Sequence, residues 1–234
     1  MSLKDLPDDA YVCDVGGMGA PTVSAEKLDS YECAAAVQAL SAALPRPLTA
    51  LLCAEVGGGN ALEPLAVDME LGLPVVDADL MGRAFPELQM STAAIAGVPL
   101  TPAAVADDKG NVLLMAAAAS PNWAERVLRA ACTEMGCSVD LASSPMTGTT
   151  AREVVVPGSL SLAWHIGMAV LTARAANADP VAAVLQLYGG SGRLLLRGKV
   201  VVGPAAFGYD AEYQPVGPFP AGLCTVHGLY GVRA

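Results

Sequence analysis

Three acidic side chains close two apolar runs of strand length. Glu55 ends the run 49–56, and Asp77 and Asp79 end the run 74–79. In open α/β sheets, ligands gather outside the carboxyl ends of the strands. Carboxylates placed there either hold a hard divalent metal or share acid and base work. Capping of the following helix is the plainer use of the same residues. Asp77 and Asp79 are two apart, so they share one face of a continuous strand. Gly57, Gly58, Gly59 and Asn60 lie between the first run and a helical stretch. Their backbone N–H groups suit an anion or a carbonyl oxygen, and equally a tight turn against the sheet. Arg83 and Glu87 are spaced for a pair on one helix face. Pro86 between them points instead to a helix that starts nearby. In the alternative, Arg83 clamps a carboxylate or imide oxygen and Glu87 joins the acidic set.

Other reactive residues have less context. His165 sits among Leu162, Trp164, Ile166 and Met168, where an imidazole is more often a core or interface residue than a ligand. His227 has no motif around it. Ser144, Thr147, Thr149 and Thr150 lack a nucleophile elbow or a nearby base, so 143–148 reads as a polar loop. The six cysteines show neither zinc spacing nor disulfide density, and read as buried free thiols of a cytoplasmic protein. Neither GxGxxG nor a Walker motif is present.

These residues require strands and helices in alternation. Apolar runs at 10–15, 49–56 and 74–79 read as strands. Helices are expected at 30–44, after Asn60 as N-cap carrying Leu62, Leu65 and Met69 with Gly72 past the end, and at 159–176. Runs 103–107 and 112–117 flank a hairpin turn at 108–111. Ser120 and Pro121 open a helix with Trp123, Val127 or Leu128, Ala131 and Met135 along one face and Gly136 at its end. Strands are further expected at 139–142, 153–156 and 193–202. The pattern is an α/β layered sandwich with a mixed, partly parallel sheet. Residues 1–190 form the layered domain, and 191–234 a β-rich remnant and tail.

Composition narrows the function. Hydrophobic residues make up 53% and aromatic ones 5%, and alanine occurs 43 times, so the core is built from small, closely packed side chains. A net charge of −10 repels a phosphate backbone, and no basic run offers an exception. No stretch is long and apolar enough to span a bilayer, and the first residues lack a signal-peptide core. Few charges and abundant alanine leave apolar surface for a homo-oligomer. A small-molecule substrate is the expected partner, without nucleic acid or membrane.

Three stretches resemble one family. The first is Gly17 to Val23 followed by Glu26, Lys27 and Leu28. The second is Glu55 to Asn60 with Pro64. The third, and most specific, is Leu73 to Gln89. Glu125 with Arg126, and Pro157 to Ser161, fit as well. The family is the S-methyl-thiohydantoin desulfurase-like one, associated with hydantoinase and oxoprolinase enzymes, and the likeness spans roughly 7–202. It implies an α/β layered domain followed by a β-barrel-like one, which is missing or reduced after Lys199, Val200 and Val201. It implies hydrolysis of a hydantoin-like ring, with water attacking the carbon that bears an S-methyl group and methanethiol leaving. The alternative is a small-molecule-binding protein or a subunit of a hydantoinase-type assembly. On this reading Asp77 or Asp79 is base or metal ligand, and Glu55 and Glu87 are partners. Arg83 with the backbone of 57–60 orients ring carbonyls. A divalent metal held by Glu55, Asp77 and Asp79 belongs to the same reading. At a strand end facing solvent, Asp79→Asn is expected to cost within about 1 kcal/mol of stability.

Overall fold

The computed structural model describes residues 1–24, 26, 27, 31–189 and 191–195, and the backbone of two short strands at 224–226 and 230–232. His227, most of the expected strand 193–202 and the proline-rich tail lie outside the described residues. The chain divides into two compact units, Met1–Trp164 and His165–Ala234.

Strand β1 (Tyr11–Gly19) is followed by a short helix α1 (Pro21–Ser24) and by α2 (Glu32–Ala43). Then come β2 (Ala50–Cys53), α3 (Glu63–Leu71) and β3 (Val75–Asp79). The three strands are parallel and adjacent, with Val12 to Val15 paired to Ala50 to Cys53. After the short α4 (Thr92–Ile95), β4 (Ala103–Ala106) and β5 (Val112–Met115) form the expected hairpin. Helix α5 (Pro121–Glu134) starts at Ser120, whose side chain accepts from the Trp123 N–H. Strand β6 (Ser138–Thr147), α6 (Gly148–Val154) and the two-residue β7 (Val156–Pro157) complete the sheet. Its order is β5-β4-β6-β1-β2-β3-β7, with β6 antiparallel to β1 and β7 antiparallel to β3. The sheet is mixed and open, and it is not closed into a barrel.

Side chains alternate across this sheet, as the two-residue period of a strand requires. Cys13, Val15 and Leu51 pack with Cys33, Val37 and Leu40 of α2 and Val67 of α3. Val12, Leu52, Val76 and Ala78 pack on the other face with Ala93 of α4 and Ala151 of α6, and Leu128 and Cys132 of α5 cover Val105 and Leu141. The result is an α/β layered sandwich. Among the described residues the largest fully buried side chains are leucines and valines. Layers built from such residues approach closely, as the alanine content implies. Gly148 marks the limit, since a Cβ there would lie 2.0 Å from the Pro7 carbonyl oxygen.

The second unit holds the rest of helix α7 (Ser159–Ala175), then α8 (Pro180–Leu187) capped by the Asp179 side chain. Strands β8 (Cys224–Val226) and β9 (Tyr230–Val232) form an antiparallel pair. His165 is exposed on α7. No helix among the described residues is long and apolar enough to cross a membrane.

Three expectations fail, each for a local reason. Residues 143–147 are strand rather than polar loop, because Ser143 and Ser144 turn inward against β1. Residues 148–154 are helix where a strand at 153–156 is expected. The Thr147 hydroxyl caps that helix by accepting from the Thr150 N–H. Helix α3 buries Pro64 and Val67 and leaves Leu62, Leu65 and Met69 exposed. It begins after Leu62, not at Asn60, whose side chain is engaged by Gly17 and Glu55 instead of the helix end. In α5, Ala124, Leu128 and Cys132 are the buried side chains, and Trp123 and Val127 are exposed.

Ser143 and Ser144 serve a buried charge. Asp14 lies in the sheet beside a register shift between β1 and β6, and is 3% exposed. The Ser143 hydroxyl lies 3.1 and 2.9 Å from its two carboxylate oxygens, within donating distance of both. Burial pushes the Asp14 carboxyl above its ordinary range, and the hydrogen bonds from Ser144 and Ser143 only partly offset this. A carboxyl raised in the folded state contributes stability below its unfolded pKa and loses it as pH rises through the folded value. Asp14→Asn has no charge to bury. Urea unfolding at about pH 5 and about pH 8 should show the variant gaining stability relative to the wild type at the higher pH. An unchanged difference would mean that Asp14 does not titrate in this range.

Candidate functional site

The carboxyl ends of β2 and β3 are tied together by one side chain. Val76, Ala78 and Leu80 enter the core cluster, so Asp77 and Asp79 share the other face, as their spacing predicts. Asp79 is fully buried rather than solvent-facing. Its Oδ2 accepts from three backbone N–H groups, Val56 at 2.9 Å, Met81 at 3.2 Å and Gly82 at 2.7 Å. Its Oδ1 is buried without a partner among the described residues. One carboxylate thus holds the turn after β2 against the turn after β3.

Glu55 and Asn60 make the second tie. Glu55 Oε2 accepts from the Phe85 N–H at 2.9 Å, and Oε1 from Asn60 Nδ2 at 2.7 Å. The Asn60 Oδ1 accepts from the Gly17 N–H of β1 at 2.8 Å. Asn60 therefore ties β1 to the turn after β2 instead of capping α3. Gly58, between these residues, has φ 36°, a conformation that glycine adopts without strain, while Gly57 packs near Ala84.

The remaining predicted residues are spread around this core. Asp77 Oδ1 accepts from the Ser161 N–H in the first turn of α7, the helix-capping use of a strand-end carboxylate. Arg83 and Glu87 are both exposed on the segment after β3, and no helix pairs them. The Arg83 guanidinium lies over the Phe85 ring, 5.2 Å from its centroid, and Glu87 accepts from the Gln89 side-chain amide. Glu55 and Asp79 meet around the two turns, while Asp77 faces α7. Among the described residues Glu55, Asp77 and Asp79 do not form a set of converging oxygen ligands; both Glu55 oxygens, Asp77 Oδ1 and Asp79 Oδ2 accept from N–H groups instead.

A different constellation, not foreseen from the sequence, lies beside Asn60. Donor atoms of Cys33, Glu63 and Asp140 are all within 4.8 Å of one another. Cys33 comes from the first turn of α2, Glu63 from the first turn of α3, and Asp140 from β6 opposite Gly17. A Cβ at Gly17 would lie 3.2 Å from Asn60 Oδ1 and 3.3 Å from Asp140 Oδ1. The glycine therefore lets both groups pack closely against the β1 backbone. Burial raises the Asp140 carboxyl to about 7. Glu63 and Glu32 raise it too, and Lys27 and the Cys33 backbone N–H oppose them. Burial and then Glu32 raise Glu63, and burial followed by Asp140 and Glu63 raises the Cys33 thiol. The residues are remote in sequence. The local signal is Asp140 itself, a charge that alternates with the buried Val139 and Leu141 and so lies on the other face of the strand.

Chemically, the arrangement supplies an anchored pair of turns with amide and N–H groups, and a half-buried carboxyl against the exposed Gly17. The Asp79 clamp carries a stability prediction opposite to the one its strand-end position suggests. Asp79→Asn replaces a charged acceptor of three N–H groups with a neutral amide and should cost roughly 2–4 kcal/mol. Asp77→Asn should cost less than about 1 kcal/mol, since asparagine caps nearly as well as aspartate. Urea midpoints of the two variants check the ranking. A loss at Asp79 no larger than at Asp77 would deny the clamp.

Two family models match the chain in succession. The S-Me-THD-like, N-terminal domain covers 1–117 and the S-Me-THD-like, C-terminal domain covers 119–202. No curated protein matches in sequence. The crystal structure of a protein from Chromobacterium violaceum, a structural-genomics target, is similar in fold at a TM-score of 0.76 and 27% identity. The match covers 86% of this chain and 57% of that one, so this chain spans little more than half the length of its neighbour. With both halves of the family pattern present in order, the chain belongs to the S-Me-THD-like family.

Proposed function

We propose that the protein is a hydrolase of hydantoin-like five-membered rings, releasing methanethiol from an S-methyl-thiohydantoin. The observation that carries this reading is the half-buried Asp140 carboxyl, raised to about 7, lying against the exposed Gly17 near the end of β1. A carboxyl of that kind can exchange a proton with water or with a ring nitrogen near neutral pH. Family membership supports the substrate class.

In the proposed reaction, water adds to the ring carbon that bears the S-methyl group. The carbon–sulfur bond breaks, and the sulfur leaves as methanethiol with one of the two water protons. The other proton goes to the ring nitrogen, and the water oxygen becomes the new carbonyl. Asp140 and Glu63 hold the attacking water. The Gly57, Gly58 and Gly59 turn and Arg83 orient the carbonyl oxygens, and Glu55 keeps Asn60 in place. Glu87 and Asp77 serve from the rim. Asp79 acts through the turns it holds rather than by touching substrate. We further propose a cytoplasmic homo-oligomer. The exposed Leu62, Leu65 and Met69 on α3 support that association.

The test is methanethiol release from S-methyl-thiohydantoin by wild-type protein and by Asp140→Asn. Turnover should fall by a factor of about 10² to 10⁴ in the variant, the usual worth of one group that handles the proton. Saturable binding of the ring without release by the wild type would instead assign a binding protein.

A further inference from the structure

We propose that Cys33, Glu63 and Asp140 form a zinc site with three protein ligands and one remaining coordination position. The three donor atoms come from three different elements, two helix first turns and the facing strand, yet lie within 4.8 Å of one another. Zinc bonds of about 2.0–2.3 Å would bring tetrahedral ligands to roughly 3.5 Å apart, a small inward closure of side chains already converging. The Cys33 residue is 1% exposed, and its Sγ has no hydrogen-bond partner among the described residues. A buried thiol with no partner, aimed at two carboxylates, is a poor arrangement until a cation sits between them.

Charge points the same way. Neither Glu63 nor Asp140 takes part in an ion pair among the described residues. The nearby cation, Lys27, is already engaged, with Nζ 2.5 Å from the Ser138 carbonyl oxygen and 3.0 Å from Asp108. Buried carboxylates are normally paired or coordinate a metal. The helix first turns favour the anionic form of the ligands they carry. The donor set selects the ion, because a thiolate suits zinc and disfavours magnesium or calcium, which take oxygen. Binding releases the thiol proton to solvent. Three protein ligands leave a fourth tetrahedral corner, the pattern of zinc sites that hold water or substrate. The Asp140 carboxylate is half-buried and lies against Gly17, which is exposed.

The inference shares its cleft with the proposed hydrolase but not its substrate. The experiment therefore reads metal directly. The purified full chain is stripped with chelator and titrated with Zn²⁺ against a chromophoric chelator, then with Co²⁺ under a spectrophotometer. One equivalent should bind, and Co²⁺ should give a sulfur-to-cobalt charge-transfer band in the near ultraviolet. Cys33→Ser should abolish the band, while the exposed Cys137→Ser should keep it. Glu63→Gln, which leaves the thiol in place, should weaken binding by at least about tenfold. This second variant keeps the test alive should Cys33→Ser fail to fold. Stoichiometric zinc without methanethiol release leaves the site standing and removes the hydrolase reading. Methanethiol release by a chain that binds no zinc does the reverse. Absence of the band, or a band that survives Cys33→Ser, overturns the site.

Discussion

Burying a carboxylate costs several kcal/mol unless its charge is answered by hydrogen bonds or a counter-ion. At Asp79 the answer comes from three backbone N–H groups belonging to two turns. Because the charge cannot be left unsolvated, those turns cannot separate without losing all three bonds together. Everything at the carboxyl end of the parallel strands inherits its position from this constraint. The turn after β2 carries Glu55, whose oxygens fix Phe85 and Asn60, and Asn60 in turn reaches Gly17 on β1. A chain of charge-assisted bonds therefore runs from β3 through β2 to β1 along the rim of the sheet.

The same rim shows how one protein gives similar residues different work. Asp79 and Asp77 accept from N–H groups and act on the backbone. Asp14 is placed in the sheet itself, with two serine hydroxyls beside it. Asp140 and Glu63 sit where burial and neighbouring carboxylates raise their carboxyls. Environment, not residue type, separates scaffolding carboxylates from those left to meet a ligand.

Much of the layered architecture was legible in the sequence. Apolar runs bounded by glycine marked the three parallel strands, the turn 108–111 marked the hairpin, and Ser120 with Pro121 marked the start of α5. Gly72 ended α3 with φ 68°, and Gly58 took the positive φ that a turn of glycines suggests. These features depend on a few consecutive residues, and short-range sterics decide them.

The tertiary structure decided the rest, because it depends on which distant groups share a low-dielectric space. A polar run such as 143–147 reads as loop until Asp14 on another strand supplies the acceptor that draws the serines inward. The start of α3 follows from where Asn60 finds partners, on Gly17 of β1 and Glu55 after β2, so local capping preferences pointed to the wrong residue. By itself the sequence determined that acidic groups would collect at the strand ends and that the family motif would sit there. Only folding placed Cys33, Glu63 and Asp140 side by side. Their proximity is set by the packing of two helices on one sheet face, a long-range arrangement that no local pattern encodes.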